Sequence, residues 1–189
     1  MAGCTQPVSA GSPGKSGASR KEWGEAVSKS AGWHLENRPR LERSDCSGLV
    51  ESVLTRAGAP IRGSSRSFWT DARRNARLSL RPHPGDLVFF DRTYDANRNR
   101  RVDDLLTHVA VVTRVDDDGT VVMVHRGSSG IRQLRMNLSY PSTHRRGDKV
   151  INDFLRARGY GGKRSPRLAG QLFRAVARPP GPKGVGRIN

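Results

Sequence analysis

Apolar residues recur at helical spacing in two segments near the start of the chain. Residues 21–33 follow Ser19, a helix-capping residue, and Glu22 lies three positions later as its capping-box partner. Residues 44–58 open with capping residues and end at Gly58, and their apolar positions share one face: Leu49, Val50, Val53, Leu54 and Ala57. Both segments are therefore predicted to be helices.

Short runs of β-branched and aromatic residues predict strands in the middle of the chain, at residues 86–90, 107–115 and 120–125. Asp116, Asp117, Asp118 and Gly119 join the last two runs, and an Asp-Gly pair is a strong hairpin signal. We expect a further strand at residues 131–134 and further helices at residues 67–77, 149–158 and 166–177. The last of these helices is predicted to be basic and amphipathic.

The length of 189 residues and the apolar fraction of 34% suit one domain with a modest core. Residues 1–19 are rich in Gly, Ser and Pro and predict a flexible tether. We assign residues 20–160 to the domain and residues 161–189 to a basic helix with a Pro/Gly-rich tail. No run approaches the ~18 apolar residues needed to cross a bilayer, so a soluble monomer is expected.

The net charge of +17 predicts attraction to polyanions, such as nucleic acid, an anionic envelope polymer or an acidic protein. Residues 145–189 hold 12 Lys and Arg against two Asp, so this segment is expected to contribute most to the attraction to polyanions. A solvated basic surface without a partner is the alternative interpretation. No RNA-binding signature is present and aromatic residues make up 6% of the chain, so no specific nucleic acid is expected.

Two cysteines cannot build a disulfide framework, and Cys4 and Cys46 do not form a short metal-binding pair. Residues 2–5, Ala-Gly-Cys-Thr, resemble the end of a bacterial lipoprotein signal, in which the cysteine becomes lipidated. Cys4 is therefore expected to carry a lipid anchor, and the alternative is an incidental cysteine in a flexible arm.

Cys46 lies in the first turn of its predicted helix, where unpaired backbone N–H groups favour a thiolate and lower its pKa. A two-residue turn at 118–119 and a four-residue loop at 116–119 both place His108 and His125 on the same face of the hairpin. Only an odd-length turn with a bulge would separate them. A thiol, an imidazole base and a second polar group match the arrangement of cysteine acyl transfer.

Two alternatives remain for these three residues. In the first alternative, Cys46 is a buried structural cysteine and the two histidines are ordinary strand residues. In the second, the three side chains bind zinc. His34, His83 and His144 have no partner spacing and are interpreted as surface residues.

Several motifs occur together and in order between about residues 40 and 140. They are Asp45-Cys46-Ser47-Gly48-Leu49-Val50, then Pro84-Gly85-Asp86-Leu87-Val88-Phe89-Phe90, His108-Val109-Ala110-Val111-Val112, and Val124-His125 before Gly127-Ser128-Ser129-Gly130-Ile131. This pattern resembles the NlpC-type papain-like cell-wall cysteine peptidases, to which the CHAP amidases are closely related. The resemblance implies an α+β fold with the nucleophile helix packed on an antiparallel sheet, with extra N- and C-terminal helices.

The resemblance also implies roles for individual residues. Cys46 would be the nucleophile, His108 the general base and His125 the residue that orients it. Asp45 and Ser47 would belong to the oxyanion and substrate-binding part of the site. The implied reaction is hydrolysis of an amide in the peptide stem of peptidoglycan, outside the cytoplasm, with no cofactor required for the chemistry.

The sequence departs from this family in the insertion at residues 91–104. Within it, oxygens suited to calcium fall at alternate positions of an EF-hand-like loop: Asp95, Asn97, Asn99, the Arg101 carbonyl and Asp103. Arg100 stands where such a loop prefers Gly, and Leu106 where it uses a bidentate Glu, so Asp104 would complete the site. A solvated turn rich in Asp and Asn is the alternative.

Three functions follow from this reading. The first is a peptidoglycan hydrolase, and the second is a basic module that binds nucleic acid or another polyanion without catalysis. The third is the same hydrolase chemistry used as an antibacterial toxin.

Overall fold

The computed structural model describes residues 19–157 and 165–182. Its first helix, α1 (Arg20–Asn37), is longer than the segment predicted from the sequence. The Ser19 hydroxyl accepts the Glu22 N–H over 3.2 Å and the Glu22 carboxylate accepts the Ser19 N–H over 2.6 Å, as the capping box predicts. The helix continues four residues beyond Trp33 because His34 faces the core rather than solvent.

Two shorter helices follow, α2 (Cys46–Arg56) and α3 (Ser65–Arg74). The apolar face predicted for α2 is buried, because Leu49, Val50, Val53 and Leu54 have no exposed surface. α3 buries only Phe68 and Ala72. Helices therefore cover one face of the sheet.

The strands are β1 (Leu78–Ser79), β2 (Leu87–Phe90), β3 (His108–Val115), β4 (Thr120–Gly127), β5 (Gly130–Asn137), β6 (Arg145–Arg146), β7 (Lys149–Val150) and β8 (Phe173–Ala177). They form a six-stranded sheet in the order β1-β8-β2-β3-β4-β5, with antiparallel neighbours throughout, and a separate two-stranded ribbon of β6 and β7. The predicted strands at the centre of the chain are all present.

The sheet has an apolar cluster on each face, and strand alternation divides its residues between them. Leu87, Phe89, Val109 and Val111 pack with the helices α1, α2 and α3. Their neighbours along the strands face the other way and pack with the C-terminal segment: Val88, Phe90, Ala110, Val112, Met123, Leu172 and Val176. A sheet buried on both faces holds the strand ends, including His108 at the start of β3, in fixed positions.

The β3–β4 hairpin has two irregularities that cancel. Its loop has an odd number of residues, because the Asp116 N–H donates to the Thr120 carbonyl over 2.9 Å and Gly119 takes a positive φ of 79°. The register then shifts between Val112 and Arg114. This bulge restores the alternation that the odd-length loop would have reversed, so positions 108 and 125 still share a face.

The helix predicted at residues 149–158 is wrong. β7 ends at Val150, and the chain then runs on without helix to residue 157. The Asn152 side chain bonds the Asn137 N–H and the Tyr140 carbonyl, and the Asp153 carboxylate binds Arg135. These long-range bonds hold the segment in an irregular conformation, which Asn and Asp favour over helix.

The helix predicted at residues 166–177 is also wrong for most of its length. Only α4 (Ala169–Leu172) is helical, and Phe173–Ala177 is strand β8. β8 lies between β1 and β2, so its backbone satisfies the edge of β2 that would otherwise be unpaired. The described part of the C-terminal segment thus contributes to the main sheet.

The predicted tether, apart from Ser19, lies outside the described residues, as do Cys4 and residues 158–164 and 183–189. None of the helices described is both long enough and apolar enough to cross a membrane.

Candidate active site

The N-terminus of α2 fixes the position of Cys46. Asp45 is the N-cap residue, and its carboxylate accepts the Gly48 N–H over 2.6 Å. Arg43 donates to the same carboxylate over 3.0 Å and to Glu51 over 2.9 Å, which ties the preceding loop to the helix. Gly48 is required here, because a Cβ at this position would lie 2.0 Å from the Arg43 carbonyl oxygen.

Cys46 is half-buried against the start of β3. Burial raises the pKa of its thiol, while hydrogen bonds from the Val109 backbone and from Ser47 oppose that rise. Asp45 raises the pKa further through its negative charge. The expected lowering by the helix N-terminus is thus outweighed, and the thiol is predominantly protonated at neutral pH.

His108 and His125 are in contact. His108 is the first residue of β3, His125 lies near the end of β4, and their Nε2 and Nδ1 atoms are 3.0 Å apart. Val111 pairs with Val124, so the two histidines are diagonal neighbours on one face of the sheet. The bond engages Nε2 of His108 and leaves its Nδ1 for another partner.

Both imidazoles are held neutral by their surroundings. Burial first, and then the neighbouring His125, lowers the pKa of His108 to about 3. Burial lowers the pKa of His125 to about 4, against an opposing effect of Asp153 and with a further lowering by Arg132. At neutral pH, one ring therefore donates a hydrogen bond and the other accepts it.

Cys46, His108 and His125 all line one cleft of about 640 Å³. Tyr94 and Phe154, with exposed fractions of 48% and 53%, form apolar parts of its wall. The cleft is open to solvent and large enough to admit a peptide segment. A thiol, two neutral imidazoles and a substrate-sized space are thus present together.

Tyr94 is a site residue that the sequence reasoning missed. It comes from the insertion between β2 and β3, and a negatively charged Cys46 raises the pKa of its phenol, after the larger effect of burial. The insertion therefore does more than connect two strands. Tyr94 directly follows Thr93, which is buried and whose hydroxyl bonds the Thr107 hydroxyl. This bond holds Tyr94 beside the cleft.

Asp45 and Ser47 flank the nucleophile in different environments. The Asp45 carboxylate is engaged by Gly48 and Arg43, so it supports the helix end and the loop. Ser47 is buried, and its backbone and hydroxyl both act to lower the pKa of the Cys46 thiol, against the larger effect of burial.

The residues proposed to bind calcium lie in an exposed loop closed by its own hydrogen bonds. The Asp95 carboxylate accepts the N–H groups of Asn99 (3.1 Å) and Arg100 (2.7 Å), and Asn99 accepts the N–H of Arg101 (2.8 Å). Arg100 has a φ of 68°, the conformation that Gly takes at this place in calcium loops. Asn97 also bonds within the loop, and Asp103 lies beside Asp104, which accepts the Ala96 N–H.

Within residues 19–157 and 165–182, no three or more His, Cys, Asp or Glu side chains are grouped so as to hold a metal ion. Calcium binding would therefore have to use the amide and carbonyl oxygens of the loop as well.

The interpretation of His34 as a surface residue is wrong. Its side chain is buried, with Nδ1 2.7 Å from the Ser30 carbonyl and Nε2 2.7 Å from the Ser52 hydroxyl. These bonds join α1 to α2 and are invisible to local patterning because Ser52 is distant in sequence. His144 is half-buried and bonds the Asn152 carbonyl, whereas the His83 side chain is 61% exposed.

A cysteine at the start of a helix, beside a histidine pair on an antiparallel sheet, is the arrangement of a papain-like cysteine hydrolase. Residues 37–127 match the CHAP domain, and this segment contains Cys46, His108 and His125. The CHAP domain is a papain-like cysteine/amidase domain found in peptidoglycan hydrolases and close to the NlpC family. Comparisons with curated proteins and with solved structures found no match.

The CHAP domain confirms the α+β, papain-like fold class expected from the sequence. It also indicates a hydrolase that acts on peptidoglycan, and CHAP domains are typical of secreted or cell-wall hydrolases.

Proposed function

We propose that this protein is a cysteine hydrolase that cleaves an amide bond in the peptide stem of bacterial peptidoglycan through a thioester acyl-enzyme. The observation that carries the proposal is the meeting of Cys46, His108 and His125 in one solvent-accessible cleft.

In the proposed mechanism, His108 is the base and uses Nδ1. For that, its Nε2 must carry the proton and donate to Nδ1 of His125 across the 3.0 Å contact. The lowered pKa of His125, about 4, keeps that acceptor nitrogen unprotonated at neutral pH. His125 thereby fixes both the tautomer and the orientation of His108.

Because the thiol pKa is raised and the His108 pKa is lowered, the resting pair is a neutral thiol and a neutral imidazole. The proton therefore moves from Cys46 to His108 as the sulfur attacks the amide carbonyl. His108 then returns that proton to the leaving amine, and water releases the acyl group from the sulfur. His108 takes the proton of that water and gives it back to the thiol.

The oxyanion of the tetrahedral intermediate would be held by backbone N–H groups at the start of α2. Asp45 already accepts the amides of Gly48 and Leu49. The Cys46 and Ser47 amides, nearest to the sulfur, are the ones we assign to the oxyanion.

We further propose that the enzyme acts as a monomer outside the cytoplasm, held to an anionic wall by its charge of +17. A lipid on Cys4 would add an anchor. Mass spectrometry of the N-terminal peptide from native membranes tests the lipid directly, since a diacylglyceryl mass on Cys4 supports it and an unmodified Cys4 refutes it.

We also propose that the loop at residues 95–104 binds calcium weakly. The support is the alternating oxygens of Asp95, Asn97 and Asn99 and the positive φ of Arg100. The role would be structural, bracing the connection into β3.

The test of the function is digestion of purified peptidoglycan by the wild type beside Cys46→Ala, with mass spectrometry of the released fragments. We expect new stem-peptide fragments from the wild type and none from the variant. His108→Gln is expected to abolish them as well. Absence of new fragments with the wild type, with and without calcium, would refute hydrolysis.

A polyanion-binding module without catalysis is the second candidate, and the net charge favours it. It predicts that Cys46→Ala keeps every measurable activity of the wild type. A toxin uses the same chemistry and is distinguished by killing of competitor cells that depends on Cys46.

A further inference from the structure

A second groove adjoins the catalytic cleft and is rich in arginine. It has a volume of about 340 Å³ and lies between the α1–α2 loop and the turn from β4 to β5. Four arginine residues line it: Arg38, Arg40, Arg126 and Arg132. No Asp or Glu is among its described lining residues, and none of the four arginines takes part in a described salt bridge.

The groove is continuous with the cleft. Ser44, Arg126, Ser129 and Arg132 line both spaces. Arg132 also lies close enough to His125 for its charge to lower the pKa of that imidazole. A chain bound at Cys46 can therefore extend directly into the arginine groove.

The backbone holds two of these arginines in place. Arg126 donates to the Gly127 carbonyl over 2.8 Å, and the Nε of Arg132 lies 3.3 Å from the Ser129 carbonyl. Each of these bonds uses one N–H of a group that has five, so most donors of both side chains remain for a ligand.

Arg38 lines the groove from the end of α1. It ends α1 in the left-handed conformation, with a φ of 45°, where Gly is the ordinary residue. The turn at the end of α1 thus brings this residue to the wall of the groove.

We propose that the arginine groove binds free carboxylates of the peptide stem next to the scissile amide. This inference rests on the proposed hydrolase function and specifies its substrate. A guanidinium binds a carboxylate through two parallel N–H bonds, and four of them without acidic partners create a strong local preference for anions. Stem peptides with free carboxylates beside the scissile amide are therefore preferred over their carboxamide forms.

Phosphate-rich wall polymers are the competing anionic ligand. The carboxylate assignment is favoured because the groove shares its wall with the catalytic cleft, so one short molecule can occupy both. A separate polymer would have to enter beside the substrate.

The test compares two synthetic stem peptides, one with free carboxylates and one with the same groups as carboxamides. We expect the wild type to show a KM roughly tenfold lower for the free form, with kcat little changed. Arg132→Gln and Arg40→Gln should each reduce this preference. Arg73→Gln, on the exposed face of α3 and outside the groove, is the matched control and should keep it.

Binding to the Cys46→Ala protein separates this inference from the hydrolase function. Tighter binding of the free-carboxylate peptide by calorimetry, lost in Cys46→Ala/Arg132→Gln, supports the groove even if hydrolysis is not detected. Equal hydrolysis of both peptides by the wild type would overturn the inference and leave the function standing. Displacement of the peptide by millimolar glycerol phosphate, with no dependence on peptide carboxylates, would also overturn it in favour of a phosphate polymer.

Discussion

The two buried histidines should make the protein acid-labile well above the pH at which carboxylates titrate. The pKa of His108 is about 3 and that of His125 about 4 in the folded protein, against about 6.5 for an unfolded chain. Between these values the unfolded state binds more protons than the folded state. Stability therefore falls as the pH drops below about 6.5, and continues to fall until the folded-state pKa values are reached.

The size of the effect follows from the pKa difference. Lowering the pH from 7.5 to 5.0 protonates an ordinary histidine in the unfolded chain while both buried rings stay neutral. Each buried ring then lowers the free energy of unfolding by about 2 kcal/mol, because one pKa unit corresponds to about 1.4 kcal/mol. The pair together lowers it by about 4 kcal/mol. This result depends little on the folded values, provided that both lie below 5.

The assay is urea unfolding at both pH values, followed by tryptophan fluorescence, with the wild type beside His125→Gln. The variant keeps one buried histidine of the pair, so its loss of unfolding free energy should be smaller than that of the wild type by about 2 kcal/mol. His34 is also buried with a lowered pKa and adds the same loss to both proteins. The difference between the two proteins is therefore the informative quantity.

His83→Gln is the matched control because that side chain is 61% exposed. It should show the wild-type loss of stability. An equal loss in the wild type and in His125→Gln would refute the reasoning, since it would mean that His125 is protonated in the folded protein at pH 5.

Three further predictions concern the supports of the site. Gly48→Ala should destabilise the fold by about 3 kcal/mol, because the new Cβ would overlap the backbone of the preceding loop. In Asp45→Asn, the helix cap is kept and a negative charge is removed, so the pKa of Cys46 should fall, as measured by the pH dependence of thiol alkylation. Calcium should bind with a dissociation constant on the order of 0.1–1 mM by calorimetry, and Asp95→Ala should abolish that binding.

Each of these has a matched comparison. Gly32→Ala is also a helical Gly-to-Ala change, but its Cβ would meet nothing within 4 Å, so it should stabilise α1 by about 0.5–1 kcal/mol. Glu42→Gln removes an exposed charge paired with Arg62 and should leave thiol reactivity unchanged. Asp117→Ala, on the β3–β4 turn, should leave calcium binding unchanged. A neutral Gly48→Ala variant would contradict the close packing of Gly48 on the preceding loop. A raised thiol pKa in Asp45→Asn would contradict the effect assigned to the Asp45 charge, and a calcium titration without binding would contradict the calcium site.

The central elements were predictable from the sequence because their signals are local. The α2 helix is marked by Asp45 and by an apolar face, and the β3–β4 hairpin by its Asp-Gly turn and alternating residues. The pairing of His108 with His125 followed from strand alternation. The two histidines share a face although the hairpin loop has an odd number of residues, because the bulge between Val112 and Arg114 restores the strand alternation.

Other features depend on contacts between distant segments. Phe173–Ala177 has an amphipathic pattern that fits a helix, and pairing with β2 and β1 makes it a strand. The burial that raises the thiol pKa and the bond from His34 to Ser52 come from packing of separate elements. The arginine groove likewise combines residues 38–40 with residues 126–132, which no local motif connects.

The most direct test of the central claim is mass spectrometry of the wild-type protein quenched in acid during turnover of a synthetic stem peptide. The account predicts a transient adduct with the mass of the acyl fragment, located on the peptide that contains Cys46 and sensitive to hydroxylamine. It predicts that His108→Gln accumulates neither the adduct nor the product. Product formation without any adduct, accompanied by full activity of Cys46→Ala, would contradict the account.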